Sequence, residues 1–461
     1  MQSRRWLPVV LWALLATLWA PAYAEEPTDP QQSATLTLSA PNSVRLTTSF
    51  QLTAQYTPAP ATPGTGTADA LSVALQRAEG ASSWATVATA ATDATGKVVF
   101  TQVANSASAT YRAVIAATDT EPEVVSNSHT VTGYRVASSL RLTAANWWVV
   151  DERSRTLTAT WRAAGRAVSG RVTLWRRPGA GAWRRVATKP TYADGIVRFV
   201  VRPRRDMHYL VTGPQGPWWL AGRSADRFLD NRPPAPPVSY PADAPRPTPL
   251  AAQPRASGAG ANAQVSRIPD RVWRSMVGRS WHPGCPVGRS SLRLIRINYW
   301  GFDGYRYRGE IVVNAAIVGK TVGALREMYA GKYPLRRLYR VDRFGWSNTL
   351  RGANDYASMA RDNTSAFNCR GVVGNPSVLS PHSRGRAIDV NPWENPYASR
   401  RGIVPNTYWY LRSAPRIAWT SSSHPVLRIW LRHGFRWTYG NTDGHHVDGR
   451  RMPVVQGTMI G

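Results

Sequence analysis

Apolar and polar residues alternate in short runs along the first half of the chain. Residues 35–38, 50–54 and 97–100 follow this pattern, and proline, glycine, asparagine and aspartate separate the runs. A period of two residues predicts β-strands that bury one face. Many short strands with regular turn signals are typical of an immunoglobulin-like β-sandwich.

The same layout occurs twice. The run 75–77 (Leu-Gln-Arg), followed by Trp84, returns 99 residues later as the run 174–176 (Leu-Trp-Arg), followed by Trp183. Tryptophans in such strands usually pack in the core, and neither copy contains residues in a catalytic arrangement. The pattern predicts two tandem immunoglobulin-like sandwiches, over residues 25–134 and 135–231.

The C-terminal part of the chain mixes two periods. Residues 292–300 and 305–314 resemble a strand pair around a glycine-containing turn, whereas 321–333 and 425–432 have apolar residues at helical spacing. These elements lack the β-α-β rhythm of a parallel sheet. We therefore predict an α+β domain over residues 266–461.

A segment between these parts, residues 232–265, is rich in proline, alanine and glycine. Such a composition buries little apolar surface. We expect a semi-extended linker that separates the sandwiches from the third domain. The predicted architecture is thus multidomain, with two all-β sandwiches followed by an α+β domain.

The first 24 residues have the parts of a secretory signal peptide. Arg4 and Arg5 precede an apolar run, 6–18, and the small-residue pattern Ala-Tyr-Ala at 22–24 suits cleavage. An uncleaved membrane anchor is the alternative, and the export route stays open. We expect a secreted, cell-wall-associated protein with no membrane span in the mature chain, because no later stretch approaches the ~20 apolar residues required.

Composition adds a strong positive charge. The 461 residues include 57 Lys+Arg against 27 Asp+Glu, a net charge of +30, and the 43% hydrophobic content excludes a wholly disordered chain. Such a charge favours polyanions. For an exported chain without a nucleic-acid recognition motif, anionic cell-wall polymers are the expected partners, and no nucleic acid is expected. A coding bias toward arginine is the alternative explanation.

The chain has two cysteines, Cys285 and Cys369. In an exported protein, a lone pair this far apart favours a disulfide over a metal site, since zinc needs more ligands nearby. A thiol nucleophile is the less favoured alternative.

Candidate metal ligands lie near the C-terminus. Gly385 allows the chain to bend before a short strand, so that His382 can turn back toward Asp389. His446 can supply a third ligand, which leaves one position open, as in catalytic zinc sites. Asp443, three residues earlier, is placed to exchange protons with water and a leaving amine. Solvated loop residues are the alternative.

These residues resemble a known family. Residues 380–389 read Ser-x-His-x-x-Gly-x-Ala-x-Asp, which resembles the signature of the M15 metallopeptidases. These zinc peptidases include D-alanyl-D-alanine carboxypeptidases, D-Ala-D-Ala dipeptidases and phage L-alanyl-D-glutamate endolysins. Residues 443–448, Asp-x-x-His-Val-Asp, are similar to the ending of the endolysin branch. The resemblance covers roughly residues 266–455.

The resemblance implies a role for each residue. His382, Asp389 and His446 would hold one Zn²⁺ per chain, and Asp443 would be the general base. Arg370 would stabilise the developing oxyanion, although it could equally be a structural arginine. His445 is the alternative third ligand, but the three-residue spacing from Asp443 favours His446.

The expected function is hydrolysis of peptidoglycan stem peptides. The bond stays open between D-Ala-D-Ala and L-Ala-D-Glu, and Asp443 in place of the usual glutamate leans toward the endopeptidase branch. The sequence also leaves open whether the enzyme acts on its own wall or a foreign one. The rival hypothesis is a wall-binding adhesin whose peptidase module has lost activity.

Overall fold

A computed structural model describes residues 33–60, 70–80, 82–119 and 121–449. The predicted signal peptide, residues 1–24, lies outside the described residues. Contacts divide the chain into two compact units. Of the described residues, the first unit contains those from 33 to 139 together with 162–170 and 214–222, and the second contains the remainder.

Two sheets in the first unit form a β-sandwich around one core. One sheet has three strands in the order β1-β3-β6, and the other has the order β2-β9-β7-β4-β5, with β8 paired to β7. Leu52 and Phe100 from the first sheet meet Leu75 and Tyr111 from the second, all almost fully buried. The strands are β1 (Thr35–Ser39), β2 (Ser43–Arg45), β3 (Ser49–Thr57), β4 (Ser72–Ala78), β5 (Ala85–Ala91), β6 (Lys97–Val103), β7 (Ser108–Ile115), β8 (Val124–Val125) and β9 (His129–Tyr134).

The next hundred residues repeat this strand order. The sheets are β10-β12-β13, with β16 paired to β12, and β11-β19-β17-β14-β15, with β18 paired to β17. The register shifts between Leu174 and Trp175, just as it shifts between Leu75 and Gln76 in the first copy. The strands are β10 (Ser138–Thr143), β11 (Trp148–Val150), β12 (Arg155–Ala163), β13 (Arg166–Ala167), β14 (Arg171–Arg177), β15 (Arg184–Pro190), β16 (Ile196–Val201), β17 (Met207–Gly213), β18 (Gly222–Arg223) and β19 (Arg227–Arg232).

The C-terminal module combines helices with small sheets. A three-stranded sheet, β20-β21-β22, packs with α2 and α4 around a large apolar core. The helices are α1 (Asp270–Met276), α2 (Val318–Ala330), α3 (Asp355–Met359) and α4 (Pro425–Arg432). The strands are β20 (Gln264–Arg267), β21 (Leu292–Trp300), β22 (Arg306–Asn314), β23 (Trp346–Ser347), β24 (Gly352–Ala353), β25 (Gly371–Val372), β26 (Asn375–Leu379), β27 (Ala387–Asp389), β28 (Tyr397–Ser399), β29 (Gly402–Val404) and β30 (His446–Asp448).

The segment predicted as a free linker, 232–265, packs against this module instead. The side chain of Gln253 donates to the carbonyl of Leu338 and accepts from its N–H, both at 2.9 Å. Trp393 donates its indole N–H to the carbonyl of Pro245 at 3.0 Å. The prediction of a spacer is therefore wrong: the backbone stays largely irregular, but the module supplies the hydrogen bonds and the apolar cover that the segment itself lacks.

Among the described residues, none of the helices has the length and apolar character that crossing a membrane would require.

Candidate metal centre

The signature segment owes its shape to local backbone chemistry. A 3₁₀ helix, Pro381–Arg384, begins after Ser380, whose hydroxyl accepts from the N–H of His382 at 3.4 Å. It ends at Gly385, which has φ +64° in the left-handed region. A Cβ there would lie only 3.0 Å from the backbone nitrogen of Asn314, so glycine is needed both for conformation and for space.

Two short strands present the remaining candidate ligands. Strand β27 pairs antiparallel with β30, and this register sets Asp389 opposite His446 and Ala387 opposite Asp448. Opposed residues project to the same face of a sheet. The pairing thus joins two sequence segments that are more than fifty residues apart.

Three side-chain atoms converge at this point. His382 Nε2 lies 3.1 Å from Asp389 Oδ1, and His446 Nδ1 lies 3.2 Å from the same oxygen. The two ring nitrogens are 3.1 Å apart. All three side chains are 3% exposed. The sequence-predicted ligands therefore form a small buried triangle.

Hydrogen bonds to the far side of each ring define which nitrogen carries a proton. His382 Nδ1 lies 2.7 Å from the carbonyl of Ala366, which can only accept, so this nitrogen donates. His446 Nε2 lies 3.1 Å from Asp448 Oδ1 and donates to it. In the neutral rings, His382 Nε2 and His446 Nδ1 then present lone pairs to each other. Two lone pairs and a carboxylate oxygen at this spacing suit a cation.

The triangle fits zinc. A tetrahedral zinc with bonds of about 2.0–2.1 Å separates its ligand atoms by about 3.3 Å, close to the spacings of 3.1–3.2 Å found here. Imidazole nitrogens and a carboxylate are a common donor set for this ion. The outer acceptors Ala366 O and Asp448 orient the rings, as in most histidine–metal sites. Ala366 was not predicted, because a backbone carbonyl leaves no signal in the sequence.

The protonation of the site follows from its buried charges. Burial alone raises the pKa of Asp389, but His382 and His445 outweigh burial and hold this pKa well below its usual range. Burial lowers the pKa of His446, whereas hydrogen bonds to Asp389 and Asp448 raise it, and the result lies well above the usual value. A metal ion must displace the proton from His446, since both require the same lone pair.

The predicted general base lies beside the triangle. Asp443 Oδ2 is 3.9 Å from His446 Nδ1, and its side chain is 16% exposed. Its other oxygen, Oδ1, is 3.1 Å from His445 Nε2. His445 Nε2 is 3.7 Å from Asp389 Oδ1, farther than His446 Nδ1. In this geometry His445 contacts the candidate base, a relationship that was not predicted.

Arg370 is held rigidly at the same site. Its Nη2 donates to Asp355 Oδ2 at 2.5 Å and its Nη1 to the carbonyl of Gly371 at 2.9 Å, and the side chain is 5% exposed. Asp355 belongs to α3 and was not predicted, because nothing in its local sequence marks it as a partner of Arg370. The ion pair gives the guanidinium a fixed orientation.

A disulfide joins Cys285 and Cys369, with Cα atoms 5.9 Å apart. The N–H of Cys369 donates to the carbonyl of Ser280 at 2.9 Å, and the ring of His282 donates to the carbonyl of Cys369 at 3.0 Å. Because the two sulfur atoms bond each other, this cluster is a covalent crosslink and not a metal site. It anchors the residue that precedes Arg370.

The triangle of candidate ligands, the candidate base and Arg370 open into one cavity of about 350 Å³. His382, Asp389, Asp443, His446 and Arg370 line it. The remaining walls include apolar, aromatic and basic side chains, among them Val372, Val373, Tyr397, Arg400 and Tyr439. The cavity thus combines a candidate cation site, a candidate general base and a guanidinium held by an ion pair.

One comparison with known protein families covers the segment that contains this site. Residues 373–448 match the model of a peptidase family described as D-alanyl-D-alanine carboxypeptidase. No curated protein matches the chain significantly. One solved structure, the D0-D1 domain of intimin, is 16% identical, and the match covers 42% of this chain and 97% of that one with a TM-score of 0.16. The family match confirms the resemblance seen in the signature, and the chain carries an M15-like peptidase domain at its C-terminal end.

Proposed function

We propose that this protein is a secreted zinc-dependent peptidase that hydrolyses peptide bonds in peptidoglycan stem peptides. The observation that carries the proposal is the buried triangle of His382, Asp389 and His446, whose donor atoms lie 3.1–3.2 Å apart and face a cavity. A module that had lost its activity would have no reason to keep this set together with Asp443. The adhesin hypothesis is for that reason less favoured.

The residues divide the reaction between them. His382, Asp389 and His446 would hold one Zn²⁺, which supplies Lewis acidity and lowers the pKa of water at the open position. Asp443 accepts a proton from the attacking water and later delivers it to the leaving amine. Arg370, which lines the cavity and is held by Asp355 at 2.5 Å, would stabilise the oxygen that becomes negative in the transition state.

One residue of the cavity wall supports a carboxypeptidase, although Asp443 leans toward the endopeptidase branch. Arg400 lies at the exposed turn between β28 and β29 and lines the cavity. A guanidinium there suits the free carboxylate at the end of a stem peptide. We therefore favour removal of a terminal D-alanine over cleavage of an internal L-Ala-D-Glu bond, in agreement with the description of the matched family.

The two sandwiches would act as immunoglobulin-like modules that place the peptidase at the cell envelope. The second sandwich, residues 135–231, contains 18 Lys+Arg and 6 Asp+Glu, and this positive charge supports attraction to anionic wall polymers. Deleting residues 25–231, which keeps the segment packed against the C-terminal module, and measuring binding to purified walls tests this role, and unchanged binding would contradict it.

Metal content and product analysis test the catalytic proposal. The mature chain should contain about one equivalent of zinc by elemental analysis, and mass spectrometry should show loss of a terminal alanine from a defined pentapeptide. His382→Ala should lose both properties, whereas His129→Ala, in the first sandwich, should keep both. A folded wild-type protein that binds no zinc and releases no product would refute the proposal and favour the adhesin.

A further inference from the structure

A second cavity of about 300 Å³ lies in the C-terminal module and shares no lining residue with the metal centre. Its walls come from α1, from β21 and β22, and from the segment once expected to be a spacer. Five arginines and one carboxylate line it: Arg271, Arg296, Arg308, Arg340, Arg343 and Glu310.

The carboxylate, Glu310, already forms ion pairs with two of these arginines. Glu310 accepts from Arg296 at 2.8 Å through Oε1 and from Arg340 at 2.7 Å through Oε2. Arg340 is also paired with the buried Asp342 at 3.1 Å. Two of the five arginines are therefore neutralised within the fold.

The other three have no carboxylate within ion-pair distance in the described part of the chain. Arg308 donates to neutral acceptors, the carbonyl of Asn262 at 2.6 Å and the side-chain oxygen of Gln264 at 2.7 Å. Burial, and then the charge of Arg296, lowers the pKa of Arg308, and Glu310 offsets this only in part. Arg343 lies over the ring of Tyr339 at 4.9 Å, and Arg271 is exposed on α1.

The positive region continues into a neighbouring cavity of about 540 Å³. The two cavities share Tyr339 and Arg343, and the second adds Arg361 without any acidic lining residue. Residues 250–254 contribute to both walls. Together the two adjoining cavities are lined by six arginines, more than a single small anion needs.

The uneven distribution of charge argues against a coding bias as its source. Residues 33–134, the first sandwich, contain four Lys+Arg and six Asp+Glu, whereas residues 266–449 contain 28 and 11. A bias acting on the whole chain would affect both regions alike. Residues 135–231, the second sandwich, contain 18 Lys+Arg and 6 Asp+Glu, so the positive charge is carried by the second sandwich and by the module that contains these cavities.

We propose that the two adjoining cavities bind an anionic polymer whose charges repeat along its chain. Guanidinium groups recognise phosphate and carboxylate oxygens in pairs, so phosphodiester and polycarboxylate chains share the required chemistry. The site adds a polymer-binding function to the proposed peptidase and does not depend on hydrolysis.

Binding measurements on the full mature chain test this proposal. Fluorescence anisotropy with labelled polyphosphate and labelled polyglutamate separates the two sources of charge, and unlabelled inorganic phosphate should compete only weakly with either. The double variant Arg271→Gln/Arg343→Gln should weaken binding of the better polymer by about tenfold or more, since each lost contact involves a charged donor.

A matched control removes the same charge from neighbouring positions. Arg274→Gln/Arg279→Gln alters α1 and the following turn at exposed residues that line neither cavity. This variant should keep most of the affinity, and both variants should keep the denaturation midpoint of the wild type. Equal weakening by the two variants would show only general charge attraction and overturn the proposal, as would the absence of polymer binding in the wild type.

Discussion

Asp389 and His446 lie opposite each other across the β27–β30 pair, with Oδ1 and Nδ1 3.2 Å apart. The antiparallel register alone brings these two groups together, so the site depends on a two-stranded sheet of only three residues per strand. Asp448, two residues after His446 and on the same face, accepts from the other nitrogen of that ring. One strand thus provides both a candidate ligand and the group that orients it.

Removing this orienting acceptor should weaken metal binding. Asp448→Ala deletes the oxygen 3.1 Å from His446 Nε2, and we expect zinc affinity to fall about 10- to 100-fold. Asp448→Asn keeps an acceptor oxygen and should lose less. Competition with a chromophoric chelator measures both variants.

The control is Asp270→Ala, which removes an exposed carboxylate from α1. Its zinc affinity should equal that of the wild type. An Asp448→Ala protein with unchanged affinity would contradict the orienting role.

Position 385 is expected to tolerate only glycine. Its φ of +64° and the approach of Asn314 N to 3.0 Å of a built Cβ oppose alanine for two separate reasons. Gly385→Ala should lower the free energy of unfolding by more than the roughly 1–2 kcal/mol of the backbone term alone, and it should weaken zinc binding through His382.

Gly278→Ala separates the two effects, because Gly278 has φ +75° but open space around its Cβ position. It should show the backbone cost only and keep its zinc affinity. Denaturant unfolding and chelator competition on both variants check this prediction. Equal zinc affinity in the two variants would contradict it.

Arg400, in the exposed turn between β28 and β29, should recognise the C-terminal carboxylate of the substrate. Arg400→Gln should raise KM about three- to tenfold for a peptide with a free C-terminal carboxylate, with little change in kcat. The same peptide with a C-terminal amide should be insensitive to the substitution. Steady-state kinetics on the peptide pair measures this.

Arg401→Gln is the matched control, since Arg401 lies in the same turn but does not line the cavity. It should leave KM unchanged for both peptides. Equal effects of the two substitutions would indicate bulk charge and not recognition of the terminus.

The signature could be interpreted from sequence because its geometry is local. A glycine with positive φ three residues after a histidine, followed by a short strand, largely determines where His382 and Asp389 point. The partners Asp355 and Ala366 could not be predicted, because they reach the site only through tertiary packing. His445 was considered only as a ligand, since its contact with Asp443 depends on how the loop before β30 folds.

The repeat in the first half could also be predicted from sequence, because alternation of apolar residues is a local signal. The packing of the segment 232–265 could not be predicted, since its composition shows only that the segment cannot form a core of its own. Its burial depends on acceptors and aromatic groups supplied by the C-terminal module, such as Leu338 and Trp393. Composition therefore does not predict whether such a segment packs against the core of a neighbouring module.

The disulfide should contribute strongly to the stability of the C-terminal module. It closes a separation of 84 residues, for which chain entropy gives roughly 4–5 kcal/mol. The free energy of unfolding of the double variant Cys285→Ala/Cys369→Ala should be lower by about this amount. Denaturant unfolding, with hydrolytic activity as the signal, measures it. Wild-type protein treated with a reductant should behave alike, and an unchanged midpoint in both samples would contradict the prediction.

Glu394 should make the protein less stable as pH rises. Its side chain is fully buried, and Arg336 Nη2 lies 3.5 Å from Oε1, too far for a strong hydrogen bond. Burial therefore raises the pKa of Glu394 well above its ordinary value of 4.5. The folded state keeps the proton where the unfolded chain has released it, so stability falls as pH increases above 4.5 and continues to fall until the folded pKa is reached.

Glu394→Gln removes this titration while keeping the size of the side chain. The variant should be more stable than the wild type at neutral pH, and the difference should shrink as pH approaches 4.5, where both chains carry a neutral group in the folded state and the unfolded wild type regains its proton. Denaturation midpoints measured from pH 4.5 to 8 test this. A difference that stays constant over the range would attribute the gain to packing, and a less stable variant at neutral pH would show that the carboxylate is ionised and paired with Arg336.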